Sequence, residues 1–191
     1  MQKLRTILII LALAAGSFSS SYAQEAGLFN SPKGIGAQYR FPVKDGIFHT
    51  ATGFVDIYGI PTSRCLYPGY RFNFSRQYVI SELESNGLRY LFYLGPGVSF
   101  GYVRDHDKGR GIDLTSLMSD NPGFMLALSA GTGCRIDFGG RIALDLSFSA
   151  EGGVHVRRNE KEKGYTAASL SVYNNGFMQA WYPQLTILFK L

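Results

Sequence analysis

Nucleophilic catalysis needs a hydroxyl or thiol beside a base, and an acid to orient that base. One stretch of this chain gathers those types. Ser147, Ser149, Glu151 and His155 fall on one face of a segment with period two. A serine–histidine–acid relay is the chemistry they could do. A plainer origin is also open: serine is abundant, and alternate spacing collects polar side chains on one face of any half-buried strand. His106, between Asp105 and Asp107, sits among hard oxygen donors that could hold a divalent ion. Residues 105–111 lack the acid spacing of a calcium-binding loop, so a solvated loop tip is expected there. Gly95-Pro96-Gly97 is followed by neither Lys-Ser/Thr nor a helical pattern, so no phosphate loop is expected. No catalytic, cofactor-binding or metal-binding residue is assigned, and no cofactor is expected.

The elements that must position these side chains are strands. From Phe124, every second residue reads Phe124, Leu126, Leu128, Ala130, Thr132, Cys134, Ile136 and Phe138. The interleaved set runs from Met125 to Arg135 and Asp137. After Gly139-Gly140, Ile142, Leu144, Leu146, Phe148, Ala150, Val154 and Val156 oppose Arg141, Asp145, Ser147, Ser149, Glu151, His155 and Arg157. A period of two marks a β-strand. These two runs are about three times the ~5–6 residues usual for a strand.

Six more segments share the pattern: 33–41, 47–59, 70–79, 88–104, 165–173 and 183–191. Pro96 predicts a bulge or kink in the fourth strand of the eight. No helix longer than a turn or two is required. Three connections are long and polar: 59–69, 105–122 and 158–164. Eight strands counted this way place all three beside the chain termini. Long loops of an outer-membrane barrel normally lie at the opposite end. Either the weakly patterned 165–173 belongs to a loop, or an early strand near Leu28 is missing from the count.

Strands apolar on one side, with charges of both signs on the other, suit a wall between lipid and a polar lumen. Arg40, Asp56, Arg71, Arg135, Asp137, Arg141, Asp145, Glu151, His155, Arg157 and Lys190 are expected to face that lumen. Eight strands enclose only enough space for side chains. Buried charges must be paired, so an ion-paired plug is expected rather than a pocket.

The N-terminus reads as an export signal, residues 1–23, with a mature domain at 24–191. Lys3 and Arg5 precede an apolar run, and Ser21-Tyr22-Ala23 offers a small-x-small cleavage site. Cleavage would leave 17 basic against 14 acidic residues, a net of +3. Those charges are scattered among acids, so no nucleic-acid partner is expected. No later segment has the ~20 apolar residues of a membrane helix. Tyr39, Tyr58, Tyr70, Tyr90, Tyr102, Trp181 and Tyr182, near strand ends, suit interfacial anchors. Cys134 falls on the apolar face and Cys65 in a loop, so a disulfide is not required.

The alternation, the export signal and the last strand, Tyr182-Pro183-Gln184-Leu185-Thr186-Ile187-Leu188-Phe189-Lys190-Leu191, together resemble small outer-membrane β-barrel proteins of the OmpA- and OmpX-like kind. Tyr93-Leu94-Gly95-Pro96-Gly97-Val98 and Gly101-Tyr102-Val103-Arg104 resemble the aromatic, glycine-rich strands of such proteins in Bacteroidetes-type envelopes. The last strand resembles the C-terminal signal read by the outer-membrane assembly machinery. It departs from that pattern by ending in Leu191, with the aromatic Phe189 two places earlier. The resemblance implies an all-β fold: a single antiparallel, eight-stranded, up-and-down transmembrane barrel with a lumen filled by polar side chains. It implies location in the cell outer membrane, with lipid, lipopolysaccharide and the assembly machinery as partners. The expected role is non-enzymatic, structural or in surface interaction, with any surface partner unidentified. Two alternatives stay open: a lipid-modifying enzyme of the same fold, and a soluble lipocalin-like ligand binder in the envelope.

Overall fold

A computed structural model describes residues 24–105, 122–160, 166–174 and 183–191. Alternating apolar and polar residues build nine strands: β1 Glu25–Asn30, β2 Ile35–Arg40, β3 Ile47–Val55, β4 Tyr70–Ser85, β5 Leu88–Val103, β6 Gly123–Asp137, β7 Ile142–Glu160, β8 Thr166–Asn174 and β9 Gln184–Lys190. From β1 to β7 each strand pairs antiparallel with the next. β8 and β9 both lie against β7. β8 takes its C-terminal part, Gly152↔Asn174 to Glu160↔Thr166. β9 takes its N-terminal part, Ile142↔Phe189 to Ser147↔Gln184. The two therefore share one place in the wall, end to end. β9 also pairs with β1, from Glu25↔Lys190 to Asn30↔Leu185. That pairing closes an up-and-down antiparallel barrel of eight wall positions.

The circuit does not return to its starting rung. From Ala26 the pairs run through Tyr39, Ala51, Phe74, Val98 and Leu128 to Gly152, whereas through Phe189 they reach Ile142, ten residues away. Ten residues of ~3.3 Å rise against eight steps of ~4.8 Å incline the strands by about 40° to the axis. Such a barrel is narrow enough for side chains alone to fill.

The count of eight is right, but its membership changes. Glu25–Asn30 is a strand, while 165–173 and 183–191 supply one wall position between them. The added strand reverses the direction of all that follow. The strand ends joined after β3, β5 and β7 therefore lie at the end opposite the termini, and the conflict over loop placement disappears; residues 158–160, expected in a connection, belong to β7. β7 and β8 run on as a hairpin beyond β9 and β1. At the terminus end the turns are tight. Asp45 (φ 52°) with Gly46 (φ 71°), and Asn86 (φ 52°) with Gly87 (φ 75°), put two successive residues in the left-handed region. That geometry matches the twist of the strands they join.

The irregularity expected at Pro96 lies elsewhere. β5 holds its register with β6 through Pro96↔Ala130. Its rungs to β4 skip from Ser75↔Gly97 to Tyr78↔Leu94, where the proline has no N–H to give. The register shift falls in β4 itself, between Val79 and Ser81. Beyond it, β4 and β5 extend past the last β3 rung, Ile47↔Tyr78.

The two faces of the wall differ as the alternation requires. Outward side chains are apolar and exposed, among them Leu28 (69%), Leu128 (72%), Phe100, Ile142 and Ile187. Inward ones include Arg40, Arg135, Asp145, Glu151, His155 and Thr186, all buried.

Candidate functional site

The inward face of the terminus half is a lattice of charges. Arg40 on β2 donates from Nη2 to Asp145 on β7, and its Nη1 stands 3.6 Å from Glu25 on β1. Arg135 on β6 turns its fork to Glu25, with Nε 2.9 and 3.1 Å from the two carboxylate oxygens, and donates from Nη2 to Asp137 at 3.1 Å. Lys190 on β9 donates to Asp137 at 2.8 Å, and the Tyr93 hydroxyl to Asp145 at 2.6 Å. The Arg40 guanidinium lies 4.6 Å from the Phe48 ring centre and 5.2 Å from that of Tyr93. Three cations meet three acids here. Fork geometry and several hydrogen bonds per charge offset the desolvation that isolated ions would suffer. Below this layer a recess of about 790 Å³ opens at the terminus end, walled by Phe41, Val43, Phe48 and Leu91.

Above the lattice the lumen turns neutral. A chamber of about 70 Å³ is lined by Thr50, Thr52, Asn73, Ser75, Gln77 and Ser129, among other hydroxyls and amides. At ~30 Å³ per molecule it has room for about two waters. Gly95 of β5 lines this space, and a Cβ there would strike the Arg76 carbonyl oxygen of the neighbouring strand. Over the chamber, Arg71 donates to Glu151 at 2.6 Å and Ser99 donates to the same carboxylate at 2.6 Å. Asn73 joins this group through Ser99 and Ser129 at 2.7 and 2.8 Å.

The loop end is tied by a buried fork. Arg64 in the β3–β4 connection reaches both oxygens of Asp105 at 3.0 and 2.9 Å, and Asp56 at 2.6 Å. Burial works against its charge, but the hydrogen bonds and fields of Asp56 and Asp105 hold the guanidinium above its ordinary value. Burial, then the charges of the same two acids, push the Cys65 thiol up. Cys65 and Cys134 are both free thiols.

Most of the expected lumen residues do face inward, and seven of them join these pairs: Arg40, Asp56, Arg71, Arg135, Asp137, Asp145 and Glu151, with Lys190 at the rim. Arg157 is half-buried on the same face. Arg141 is the exception: it lies exposed in the β6–β7 turn, because β7 begins at Ile142, one residue later than expected. Glu25, Arg64 and Tyr93 were not foreseen.

Ser147, Ser149, Glu151 and His155 share one face of β7, yet the extended strand keeps them apart. Six residues at ~3.3 Å put Ser149 about 20 Å from His155 along the strand. Glu151, the acid of the set, is engaged by Arg71 and Ser99. His155 is buried (1%) in register with Met125. His106, Asp107, Trp181 and Tyr182 lie outside the described residues. Asp105 is described and holds Arg64. Among the described residues no group of three His, Cys, Asp or Glu side chains could hold a metal ion. No helix of the described residues is long and apolar enough to cross a membrane.

Compared with known proteins, the chain matches no family model, no curated protein and no solved structure. Geometry alone defines its class: a closed eight-position antiparallel barrel, apolar outside, with an ion-paired polar interior.

Proposed function

We propose that this chain is an outer-membrane barrel, exported by its N-terminal segment, with a non-enzymatic structural or surface-interaction role. One observation carries the reading: the barrel is inside-out relative to a soluble one. Its exposed wall is made of Leu28, Leu126, Leu128, Ile142, Ile187 and their neighbours, while its charges are enclosed. Water gives no reason to expose such a wall, and hydrocarbon does. A lipocalin-like carrier needs the reverse distribution, with a large apolar cavity inside. With the termini on the periplasmic side, the loop-end strand ends and the β7–β8 hairpin would face outward, where lipopolysaccharide or a surface partner would meet them. The ion-paired terminus half leaves no general pore.

The test is direct. The protein should require detergent, run faster on a gel unheated than boiled, and react with a membrane-embedded photoprobe at Leu128, Leu144 and Phe148. Labelling at Asp145 and Glu151 that spares those three would refute it. Turnover of lipid A by the purified protein, lost in His155→Ala, would replace it with the enzymatic reading.

A further inference from the structure

The outward wall carries two charged or chargeable side chains that do not fit it. Among the described side chains of the nine strands, His49 and Arg76 are the Arg, Lys, His, Asp or Glu residues that face outward; every other outward position is apolar, aromatic, small or neutral. They are not scattered. His49 on β3 and Arg76 on β4 are direct cross-strand partners. Their Cβ atoms are therefore ~5 Å apart on one face of the pleat.

The ground around them is aromatic. The imidazole stacks on Phe74, centroids 5.6 Å apart and planes 16° from parallel. The guanidinium stands 5.3 Å from the Tyr78 ring centre. Phe41 meets Phe74 edge-on, and Tyr39 meets Phe41. These rings set the two nitrogen-bearing groups side by side without offering them a carboxylate. The nearest acid along the chain, Asp45 in the adjoining turn, pairs with neither. Arg, His and Tyr78 thus present N–H and O–H donors to whatever lies against the wall, with no anion of the protein among them.

Their height matters as much as their chemistry. The last rung between β3 and β4 at the terminus end is Ile47↔Tyr78. His49 and Arg76 are two residues above it, about 5 Å along the axis for strands of this tilt. A long side chain rooted there can carry its charge toward the terminus-side edge of the wall while its stem stays among apolar side chains, which continue past it as Ile80 and Leu83. Toward that edge of a membrane barrel, the anion such a donor pair would meet is lipid phosphate.

We propose that His49, Arg76 and Tyr78 form a site for the phosphate of a phospholipid in the leaflet on the terminus side. This rests on the membrane reading above. It goes further by assigning a specific lipid contact to the face opposite the long loops, and it makes the barrel's two rims chemically unlike. At the loop rim, Arg104 lies beyond β5, its guanidinium 5.9 Å from Tyr67 and 5.5 Å from Tyr102. It has no imidazole as a cross-strand partner and serves as the comparison.

The experiment uses the full mature chain, purified in mild detergent, doped with phosphatidylglycerol or with a galactosyl diacylglycerol of the same acyl chains. Bound lipid is counted by native mass spectrometry. Wild type should retain phosphatidylglycerol and not the phosphate-free lipid. Arg76→Gln should lower retention about fivefold, the effect of one cation at a charged surface, and Arg76→Gln with His49→Gln more. Arg76→Lys should keep most of it, and Arg104→Gln should change little. Heat-modifiable gel mobility shows that each variant has folded; these side chains face outward, so all should. Equal retention by wild type and the double variant, or an equal loss with Arg104→Gln, overturns the site while leaving the membrane barrel intact. Displacement of the lipid by an equal concentration of inorganic phosphate overturns the lipid source. Dimers that vanish in the double variant would make the patch a self-contact and overturn it too. Protein that stays soluble without detergent overturns both proposals together.

Discussion

The two halves of the lumen hold polar side chains in different ways. In the terminus half, Arg40, Arg135 and Lys190 meet Glu25, Asp137 and Asp145, and the strands that supply them, β6, β7, β9, β1 and β2, are successive neighbours in the wall. In the loop half, the Arg71–Glu151 pair stands over hydroxyls, amides and a small chamber, with the Arg64 fork beyond it at the loop end. Charges of opposite sign satisfy one another there, above the recess that opens at the terminus end. Neutral groups can share their hydrogen bonds with water, so a gap among them costs little. The lesson is that one narrow barrel can hold a matched charge lattice at one level and a neutral chamber at the next, with no change in wall geometry.

That contrast can be broken by substitution. Asp145 has no exposed surface and accepts from both Arg40 and Tyr93. Asp145→Ala leaves Arg40 without its main counter-charge and should destabilise the barrel by about 3–5 kcal/mol. Urea unfolding in lipid vesicles, followed by intrinsic fluorescence, measures this. Pairing Asp145→Leu with Arg40→Met should recover most of the loss, since a matched apolar pair replaces a matched ionic one. Glu151→Gln should cost less, about 1–3 kcal/mol, because water in the chamber can serve Arg71. A cost equal to that of Asp145→Ala would show the halves to be alike. Gln77, whose buried Oε1 has no partner, lines the chamber. Gln77→Met should shift stability by under about 1 kcal/mol in the same assay.

The smallest effect concerns the loop-end cap. The Cys65 thiol holds its proton more tightly in the folded chain than in the unfolded one. Less thiolate is therefore present at any given pH, and thiolate is the reactive form. Maleimide should label Cys65 more slowly in the folded protein than in urea. The folded rate should climb at a higher pH than the unfolded rate, which follows an ordinary thiol near ~8.5. Coincident profiles would mean that the folded chain does not bury Cys65.

Long alternation made the wall legible. β6 and β7 need no partner to declare which side is which, since Leu126 and Arg135 or Leu144 and Asp145 already differ. β1 hid because it breaks the rule: Phe29 points inward, stacked on Phe54 at 6.1 Å, while Asn30 points out. A six-residue strand with an inverted pair carries no net pattern. Without it, Glu25 dropped out of the lumen. The end of β4 hid for another reason: the shift at Val79/Ser81 reverses the alternation. The Asn86-Gly87 turn was the available signal for its true length. The pairs of the terminus half were not legible at all. Arg40 and Asp145 are 105 residues apart, and Arg135 and Glu25 110. Only the ten-residue offset of the closed circuit brings them level. Charge type can be read from one strand, whereas partner choice is a property of the whole circumference.

Closure by β1 against β9 has a consequence for biogenesis. Glu25, near the start of the described chain, is bonded in register to Lys190, next to its last residue. The ring therefore cannot close until β9 has been made. Until then the sheet is an open ribbon with two bare margins, the kind of species that sticks to others like it. Each margin is the other's partner, so neither can be satisfied alone.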